Sequence, residues 1–118
     1  KILQWIASYT NSLDFSSKQQ LQLQLIAEEV IINIIQHGAA TTIKVVITVE
    51  TAVLNICFID DSFPFNPLAV QPHKQVEKLA DMTVGGRGIA LVSALADHVY
   101  YQRQNGNNML TVVKKLTK

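Results

Sequence analysis

The feature that most constrains the fold is a long apolar stretch at residues 21–35, which holds ten apolar residues in fifteen. Its first five residues alternate as a strand would, but an apolar pattern that runs on to Ile35 without a turn signal is too long for one strand. The stretch therefore predicts a helix, which Gly38 ends because glycine commonly follows the last helical residue. Four polar side chains share one narrow stripe of this otherwise apolar helix: Gln22, Glu29, Asn33 and Gln36.

Shorter patterns around this helix predict the remaining elements. The chain opens on an amphipathic helix, and Ser16 or Ser17 caps the helix that follows. Residues 42–50 and 53–60 are rich in β-branched residues and predict an antiparallel hairpin, whose second strand is central because both of its faces are apolar. The elements predicted after the hairpin are a loop (61–72), a short helix (71–82), a helix (89–96) and two strands (99–103 and 109–116) joined by a turn at 105–107.

Helices at one end of the chain and a mostly antiparallel sheet predict an α+β fold. We expect a two-layer sandwich in which the helices pack on one face of a mixed, mostly antiparallel sheet. The length of 118 residues fits one domain, 1–118, which can bury a core without disulfides.

Composition excludes several classes of function. A net charge of +1 argues against nucleic acid or an anionic membrane as the main partner, since either would need a basic patch. No apolar run reaches the roughly 18 residues that span a bilayer, no signal peptide is visible, and Cys57 is the only cysteine, so we expect a reducing, cytoplasmic location. Charged residues make up only 16% of the chain, which makes each charge in an apolar setting a candidate for function.

The long helix places Glu29, Asn33 and His37 at intervals of four residues. Each step of four residues drifts only about 40° around a helix, so the three side chains lie on one side of it. Glu29 supplies a base or a carboxylate that orients water, and Asn33 supplies a neutral oxygen that suits a hard cation such as magnesium. Two alternatives stay open: the stripe is the solvated face of an amphipathic helix, and His37 is a cap or a satisfied polar group at the helix end.

Two further polar groups follow along the chain. Asp60 and Asp61 end an apolar strand, where a carboxylate can accept a hydrogen bond from the amino group of a ligand. The alternative is a plain strand-ending turn, for which Asp, Ser, Asn and Pro are the usual residues.

Residues 85–88 form a Gly-Gly-Arg-Gly turn before a helix. The glycines of the turn and the free N–H groups at the start of the helix suit an anion. Arg87 adds a charged fork for phosphate or faces solvent.

In this order, the three polar groups resemble the motifs of the GHKL (Bergerat-fold) ATPases, and among them the anti-sigma-factor serine kinases. The N box is matched by residues 29–38 (EVIINIIQHG), the first glycine box by 60–67 (DDSFPFNP) and the second by 85–92 (GGRGIALV). The strands at 96–99 and 107–114 also fit, so the resemblance covers nearly the whole chain. It implies the histidine kinase-like ATPase fold.

The resemblance also implies a role for each matched residue. Glu29 would be the base that activates the acceptor hydroxyl, Asn33 would hold the magnesium that bridges the ATP phosphates, and Asp60 would accept a hydrogen bond from the adenine amino group. Residues 69–84 would form a mobile lid over ATP. The other residues expected to contact the nucleotide are His37, Ser62, Phe65, Gly85, Gly86, Arg87, Gly88 and Thr111, the last through its hydroxyl on the adenine side.

The chain departs from the family pattern in three places. Ser62 stands where the first glycine box usually has glycine, so its Cβ is expected to crowd the nucleotide or to strain the turn. Ala90 replaces the third lid glycine, which the anti-sigma branch often lacks too. The family usually begins with a strand before the first helix, whereas Lys1 leads almost directly into the helix, so the N-terminus is trimmed or the sheet is one strand short.

The leading interpretation is a kinase that uses ATP and magnesium to phosphorylate a serine or threonine of a small antagonist (STAS-type) protein, and that sequesters a sigma factor or a similar client. A second interpretation is a partner-binding module that holds nucleotide without transferring phosphate, or that has lost nucleotide binding. A third is the ATPase domain of a two-component sensor kinase, which usually has a longer lid and an attached phosphoacceptor domain. The first helix, with Trp5 and Tyr9, is core or the surface of a homodimer, since related kinases dimerise.

Overall fold

A computed structural model describes residues 2–37, 39–69 and 88–117 of the chain. The described helices are α1 (Ile2–Asn11), α2 (Ser17–His37) and α3 (Gly88–Leu95), and a short 3-10 turn spans Pro67–Ala69. The described strands are β1 (Ile43–Glu50), β2 (Val53–Asp60), β3 (His98–Gln104) and β4 (Asn107–Lys115). None of the described helices has both the length and the apolar character that a transmembrane span requires. The short helix predicted at 71–82 lies outside the described residues.

The four described strands form one sheet in the order β1-β2-β4-β3. All three pairings are antiparallel, so the described sheet is wholly antiparallel rather than mixed. The prediction that residues 53–60 form a central strand is confirmed, because β2 lies between β1 and β4. Since β2 and β4 pair directly, Asp60 at the end of β2 is the partner of Asn108 near the start of β4.

One face of the sheet carries the hydrophobic core. Alternate residues of β2 and β4 are buried, while the residues between them are only partly buried and lie on the opposite face. The core is built mainly from α2 and these two strands, with side chains such as Ile26, Val30, Phe58 and Val112, each at most 1% exposed. Helices packed on one face of an antiparallel sheet make the predicted α+β sandwich, which is confirmed.

The aromatic pair of α1 lies outside this core. Trp5 stacks on Tyr9 with ring centroids 5.9 Å apart, and Trp5 is 49% exposed. Ile6, between them in sequence, is buried in the core, and Ile2 and Leu3 pack against it. Trp5 is therefore a surface residue, and its place in a homodimer stays a prediction.

The C-terminal end of β4 is fastened to the start of α2. Ser16 caps α2, because its hydroxyl accepts the Gln19 N–H at 3.2 Å, as predicted for one of the two candidate caps. The Gln19 side chain donates to the Lys115 carbonyl at 2.8 Å and accepts from the Thr117 N–H at 2.7 Å. The first turn of α2 is therefore hydrogen-bonded to the backbone of Lys115 and Thr117.

A buried lysine holds the end of α3 against the sheet. Lys114 is 6% exposed, and its Nζ donates to the Leu95 carbonyl at 2.6 Å. The last carbonyls of a helix have no partner within the helix, and a cation suits the negative end of the helix dipole. The contact ties α3 to β4, the strand that also carries Asn108.

The two hairpins use the same kind of turn with very different residues. Thr51 and Ala52, between β1 and β2, have φ values of 46° and 62°, and Asn105 and Gly106, between β3 and β4, have φ values of 53° and 78°. Two-residue turns with positive φ at both positions favour Asn-Gly, and other residues with a Cβ are strained there by about 1–2 kcal/mol. The first hairpin therefore carries backbone strain that the second largely avoids.

We expect Ala52→Gly to stabilise the domain by about 1 kcal/mol, because glycine adopts this positive φ without strain. Gly106→Ala is the matched reverse change and should cost about 1 kcal/mol, since a Cβ there meets nothing within 4 Å and adds only backbone strain. Urea unfolding measures both free energies. An Ala52→Gly variant no more stable than wild type would contradict the strain assigned to the first hairpin.

Candidate functional site

A cavity opens at the end of β2, between α2, the loop that follows β2 and the strands β3 and β4. The space inside it, counting the open mouth, is about 370 Å³. Most of its wall is apolar, and a few polar groups lie where β2 ends and β4 begins. The lining residues are Val30, Asn33, Ile34, Asp60, Ser62, Phe65, Pro67, Tyr101, Asn108 and Leu110. The fold thus brings together Asn33, Asp60, Ser62 and Phe65, four of the site residues predicted from sequence.

The carboxylate of Asp60 lies in the wall of this cavity and is 6% exposed. Three donors reach its Oδ1: the Ser62 N–H at 3.1 Å, the Ser62 hydroxyl at 2.6 Å and the Asn108 Nδ2 at 3.1 Å. None of these three bonds goes to Oδ2. The bond from the Ser62 N–H is a side-chain turn of the kind expected at a strand end, so Asp60 both terminates β2 and lines the cavity.

Asn108 is the centre of the polar network around Asp60, and it is 5% exposed. Besides its bond to Asp60, its Nδ2 donates to the Phe63 carbonyl at 2.9 Å. Its Oδ1 accepts three hydrogen bonds, from the Phe65 N–H at 3.2 Å, the Tyr101 hydroxyl at 2.5 Å and Nη1 of Arg103 at 3.2 Å. One side chain therefore joins β2, the loop after β2, and β3.

Ser62 does not strain the turn in which it lies. The described non-glycine residues with positive φ all belong to the two hairpin turns. The Ser62 side chain is 5% exposed, accepts from Asn108 Nδ2 at 3.2 Å and donates to Asp60 Oδ1. The expectation of a strained turn is wrong, because the serine hydroxyl has become part of the network that holds Asp60.

Thr111 lies on the opposite face of the sheet from the cavity. Side chains alternate along β4, and the buried set starts at Asn108 and continues at every second residue, so Thr111 projects from the other face beside Cys57. The structure therefore does not bring the Thr111 hydroxyl to Asp60. The side chain that lies there is the amide of Asn108.

The polar stripe of α2 is buried at its centre. Glu29 is fully buried and Asn33 is 8% exposed, which overturns the alternative that this part of the stripe faces solvent. Asn33 lines the cavity, whereas Glu29, one helical turn earlier, is not among the lining residues. His37 is the last residue of α2, and its side chain lies outside what the structure describes.

Most of the second glycine box also lies outside the described residues. This holds for Gly85, Gly86 and Arg87, and for the predicted lid from residue 70 onward. Gly88 is the first residue of α3. The prediction that a helix follows the glycine turn is therefore confirmed for the helix itself. The nucleotide contacts expected from these residues stay predictions.

The whole-chain comparisons agree with this architecture. The family model of the histidine kinase-like ATPase domain matches residues 1–114. The chain belongs to this family. Among solved structures, the blue-light activated histidine kinase of Erythrobacter litoralis EL346 gives a TM-score of 0.65 at 18% identity, over 98% of this chain and 41% of that chain. The Acinetobacter baumannii histidine kinase AdeS gives a TM-score of 0.57 at 15% identity, over 84% of this chain and 48% of that chain.

The chain spans less than half the length of either of those two histidine kinases. At 15–18% identity the likeness shows the fold alone. No curated protein sequence matches the chain.

Three residues of the polar network around Asp60 were not predicted from the sequence: Asn108, Tyr101 and Arg103. Part of the signal was present, because Asn108 alternates in step with the apolar Leu110 and thus occupies a core-facing position of β4. An amide at a core-facing position requires a partner. The partner could not be identified, since the pairing of β2 with β4 joins strands that are not consecutive in the chain.

Asp61 is exposed and has a structural role beside the site. It accepts from the N–H groups of Thr41 and Thr42 at 2.7 and 3.0 Å, and from the Thr41 hydroxyl. The Thr41 hydroxyl above all, and then the Thr42 N–H, lower the pKa of Asp61 to about 2. The carboxylate thereby joins the end of β2 to the residues that lead into β1.

This lowered pKa predicts an acid-sensitive contribution to folding. Because the folded-state pKa lies below the value of about 3.9 in an unfolded chain, the Asp61 contribution is present above pH 4 and is lost as the pH falls towards 2. We therefore expect wild type to be more stable than Asp61→Asn at pH 6 and the difference to shrink by pH 2.5, as measured by urea unfolding. The effect should be modest, since the group is exposed.

Glu50→Gln is the matched control for Asp61→Asn. It removes an exposed carboxylate at the other end of β1, away from the Thr41 and Thr42 donors. Its difference from wild type should not follow the pH course of Asp61→Asn. A stability difference for Asp61→Asn that stays constant from pH 6 to pH 2.5 would contradict the role assigned to this carboxylate.

Proposed function

We propose that this domain binds ATP in the cavity at the end of β2, with the adenine amino group donating a hydrogen bond to Asp60. The observation that carries the proposal is the arrangement of Asp60, which is buried, lines the cavity and accepts three bonds on Oδ1 alone. An amino group needs an acceptor, and Oδ2 supplies one at the apolar wall where a purine ring would lie. Membership of the histidine kinase-like ATPase family supports the same ligand.

The position of Asn33 in the cavity wall is consistent with a magnesium ion bound at the phosphate end of the proposed site. Magnesium keeps several waters and takes few protein ligands besides the phosphate oxygens, so one neutral amide oxygen in the cavity wall fits this ion. Bound there, the ion would neutralise charge on the ATP phosphates and so favour phosphoryl transfer. As the resemblance to the GHKL boxes implies, Gly86 and Gly88 would let the lid approach the phosphates, and Arg87 would add a charged donor for them.

We further propose that the domain is a protein kinase of the anti-sigma type. A serine or threonine hydroxyl of a small STAS-type antagonist would attack the γ-phosphorus, its proton would pass to Glu29, and ADP would leave. The order and spacing of the N box and the two glycine boxes support this assignment, with Glu29 at the position of the base. The regulated client would be a sigma factor or a similar protein.

One observation favours a second candidate, a module that binds nucleotide and a partner without transferring phosphate. Glu29 is fully buried and is not among the residues that line the cavity, whereas a general base must come within hydrogen-bond reach of the proton it removes. Phosphotransfer therefore requires a rearrangement that brings the substrate hydroxyl and Glu29 together. Nucleotide-dependent partner binding requires no such movement.

ATP binding is tested by ligand-induced stabilisation. At a free MgATP concentration 100 times its Kd, wild type should gain about 2.7 kcal/mol in the free energy of unfolding, measured by calorimetry. Asp60→Ala should lose most of this gain, because the proposed acceptor for the adenine amino group is removed. Asp61→Ala, which alters the neighbouring acid outside the cavity lining, should keep it. Absence of stabilisation in wild type at millimolar MgATP, or equal stabilisation of Asp60→Ala, would contradict the site.

Phosphotransfer is tested with radiolabelled ATP and a verified antagonist protein. Glu29→Gln should lower the transfer rate by about 100-fold or more while ATP binding persists, since the amide cannot take the proton. Glu28→Gln, which changes the adjacent exposed acid, is the control and should transfer at the wild-type rate. Equal rates for Glu29→Gln and wild type would remove Glu29 as the base.

The product of the same reaction separates the acceptor classes. Phosphate on serine or threonine survives acid, whereas phosphate on histidine is released by acid. An acid-stable product is expected. An acid-labile product would point instead to the sensor-kinase interpretation, and ATP binding without any transfer would favour the binding module.

A further inference from the structure

The orientation of the Asn108 amide is fixed by groups whose polarity cannot change. The Phe65 N–H and Nη1 of Arg103 are donors only, and both are directed at Oδ1. The Phe63 carbonyl is an acceptor only, and it receives Nδ2 at 2.9 Å. A rotation of the amide by 180° would place two donors against an N–H₂ group and two carbonyl oxygens against each other. Asn108 can therefore present only its N–H₂ group to Asp60.

Arg103 strengthens this fixed orientation. Its Nη1 donates both to Asn108 Oδ1 and to the Ser62 carbonyl at 2.8 Å. The guanidinium thus holds the loop after β2 and the Asn108 amide in one arrangement. A charged donor on Oδ1 also polarises the amide and favours donation from its Nδ2.

The three donors that converge on Asp60 fix which oxygen is left for a ligand. Two of them, the Ser62 N–H and Asn108 Nδ2, have no acceptor character. The third, the Ser62 hydroxyl, accepts from Asn108 and donates to Asp60 at 2.6 Å, with the Phe63 carbonyl as a more distant acceptor at 3.3 Å. Oδ1 is consequently occupied from three directions. The remaining oxygen, Oδ2, receives none of these bonds, and in the ionised carboxylate it is an acceptor that a ligand in the cavity can use.

We propose that Asn108 is a positioning residue that makes the site select a base with an amino group over a base with a carbonyl oxygen at the same place. Asn108 acts through Asp60: by holding Oδ1, it leaves Oδ2 to accept from a 6-amino purine and to repel a 6-oxo purine. The proposal rests on the proposed ATP binding and goes beyond it, because it assigns the base selection to the amide network rather than to Asp60 alone.

The three donors on Oδ1 also determine how the side chain of an Asp60→Asn variant is oriented. In Asp60→Asn the three donors still converge on the same point, so the new side chain must place its carbonyl oxygen there. Its N–H₂ group then occupies the position of Oδ2 and faces the cavity. A donor at that position fits a 6-oxo purine and opposes a 6-amino purine.

The test compares MgATP with MgITP, because inosine carries an oxygen where adenosine carries the amino group. Calorimetric Kd values are measured for both nucleotides with wild type and three variants. The discriminating quantity is the ratio of Kd for ITP to Kd for ATP, which a loss of stability alone does not change. Thermal unfolding without nucleotide establishes that each variant is folded.

Wild type should prefer ATP. Asp60→Asn should reverse the preference, and Asn108→Asp, which replaces the N–H₂ donor by a carboxylate oxygen, should lower it by at least about tenfold. Asn105→Asp is the control: it adds the same charge to an exposed position of the β3–β4 turn and should keep the wild-type ratio.

A folded Asp60→Asn that still prefers ATP, or that binds neither nucleotide, would overturn the proposal. So would an Asn108→Asp variant with the wild-type ratio. If that variant fails to fold, Asn108→Ala is measured in its place, and a wild-type ratio for Asn108→Ala would likewise overturn the proposal. Wild type that binds neither nucleotide would instead overturn the proposed ATP binding itself, which separates the two failures.

Discussion

The hydrogen bond from Asn108 to Asp60 is the interaction on which the rest of the site depends. The two residues are direct partners in the register of β4 and β2, and both are at most 6% exposed. Burying an unpaired amide or carboxylate is costly, so each group stabilises the other in place. Through the same amide, the loop after β2 is held at Phe63 and Phe65, and this loop forms one wall of the cavity.

The hydrogen bond between Asn108 and Asp60 also explains what Ser62 contributes at a position where the family usually has glycine. A glycine at that position would supply the N–H that reaches Asp60 but not the hydroxyl, whereas serine supplies both. The hydroxyl passes a hydrogen bond from Asn108 on to Asp60, and such chains of donors polarise one another in a low dielectric. The serine therefore adds to the fixation of the carboxylate while keeping an ordinary backbone conformation.

Local periodicity predicted most of the fold, and long-range pairing limited the prediction of the site. The β1–β2 hairpin, the central position of β2 and the long helix α2 all follow from residue patterns over ten to twenty positions. Thr111 was placed on the adenine side by the family resemblance, although the alternation of Asn108 with the apolar Leu110 already indicated the core-facing positions of β4. One residue of register reverses the face on which a side chain lies, and this is why Asn108, not Thr111, meets Asp60. The burial of Glu29 depends likewise on packing between layers.

The most direct test of the account is a crystal structure of the domain with magnesium and a non-hydrolysable ATP analogue. We expect the adenine ring in the cavity between α2 and the β2–β4 pair, with its amino nitrogen within hydrogen-bond distance of Oδ2 of Asp60 and with the Asn108 amide still bonded to Oδ1. An adenine ring bound outside this cavity, or an amino group that reaches neither oxygen of Asp60, would contradict it.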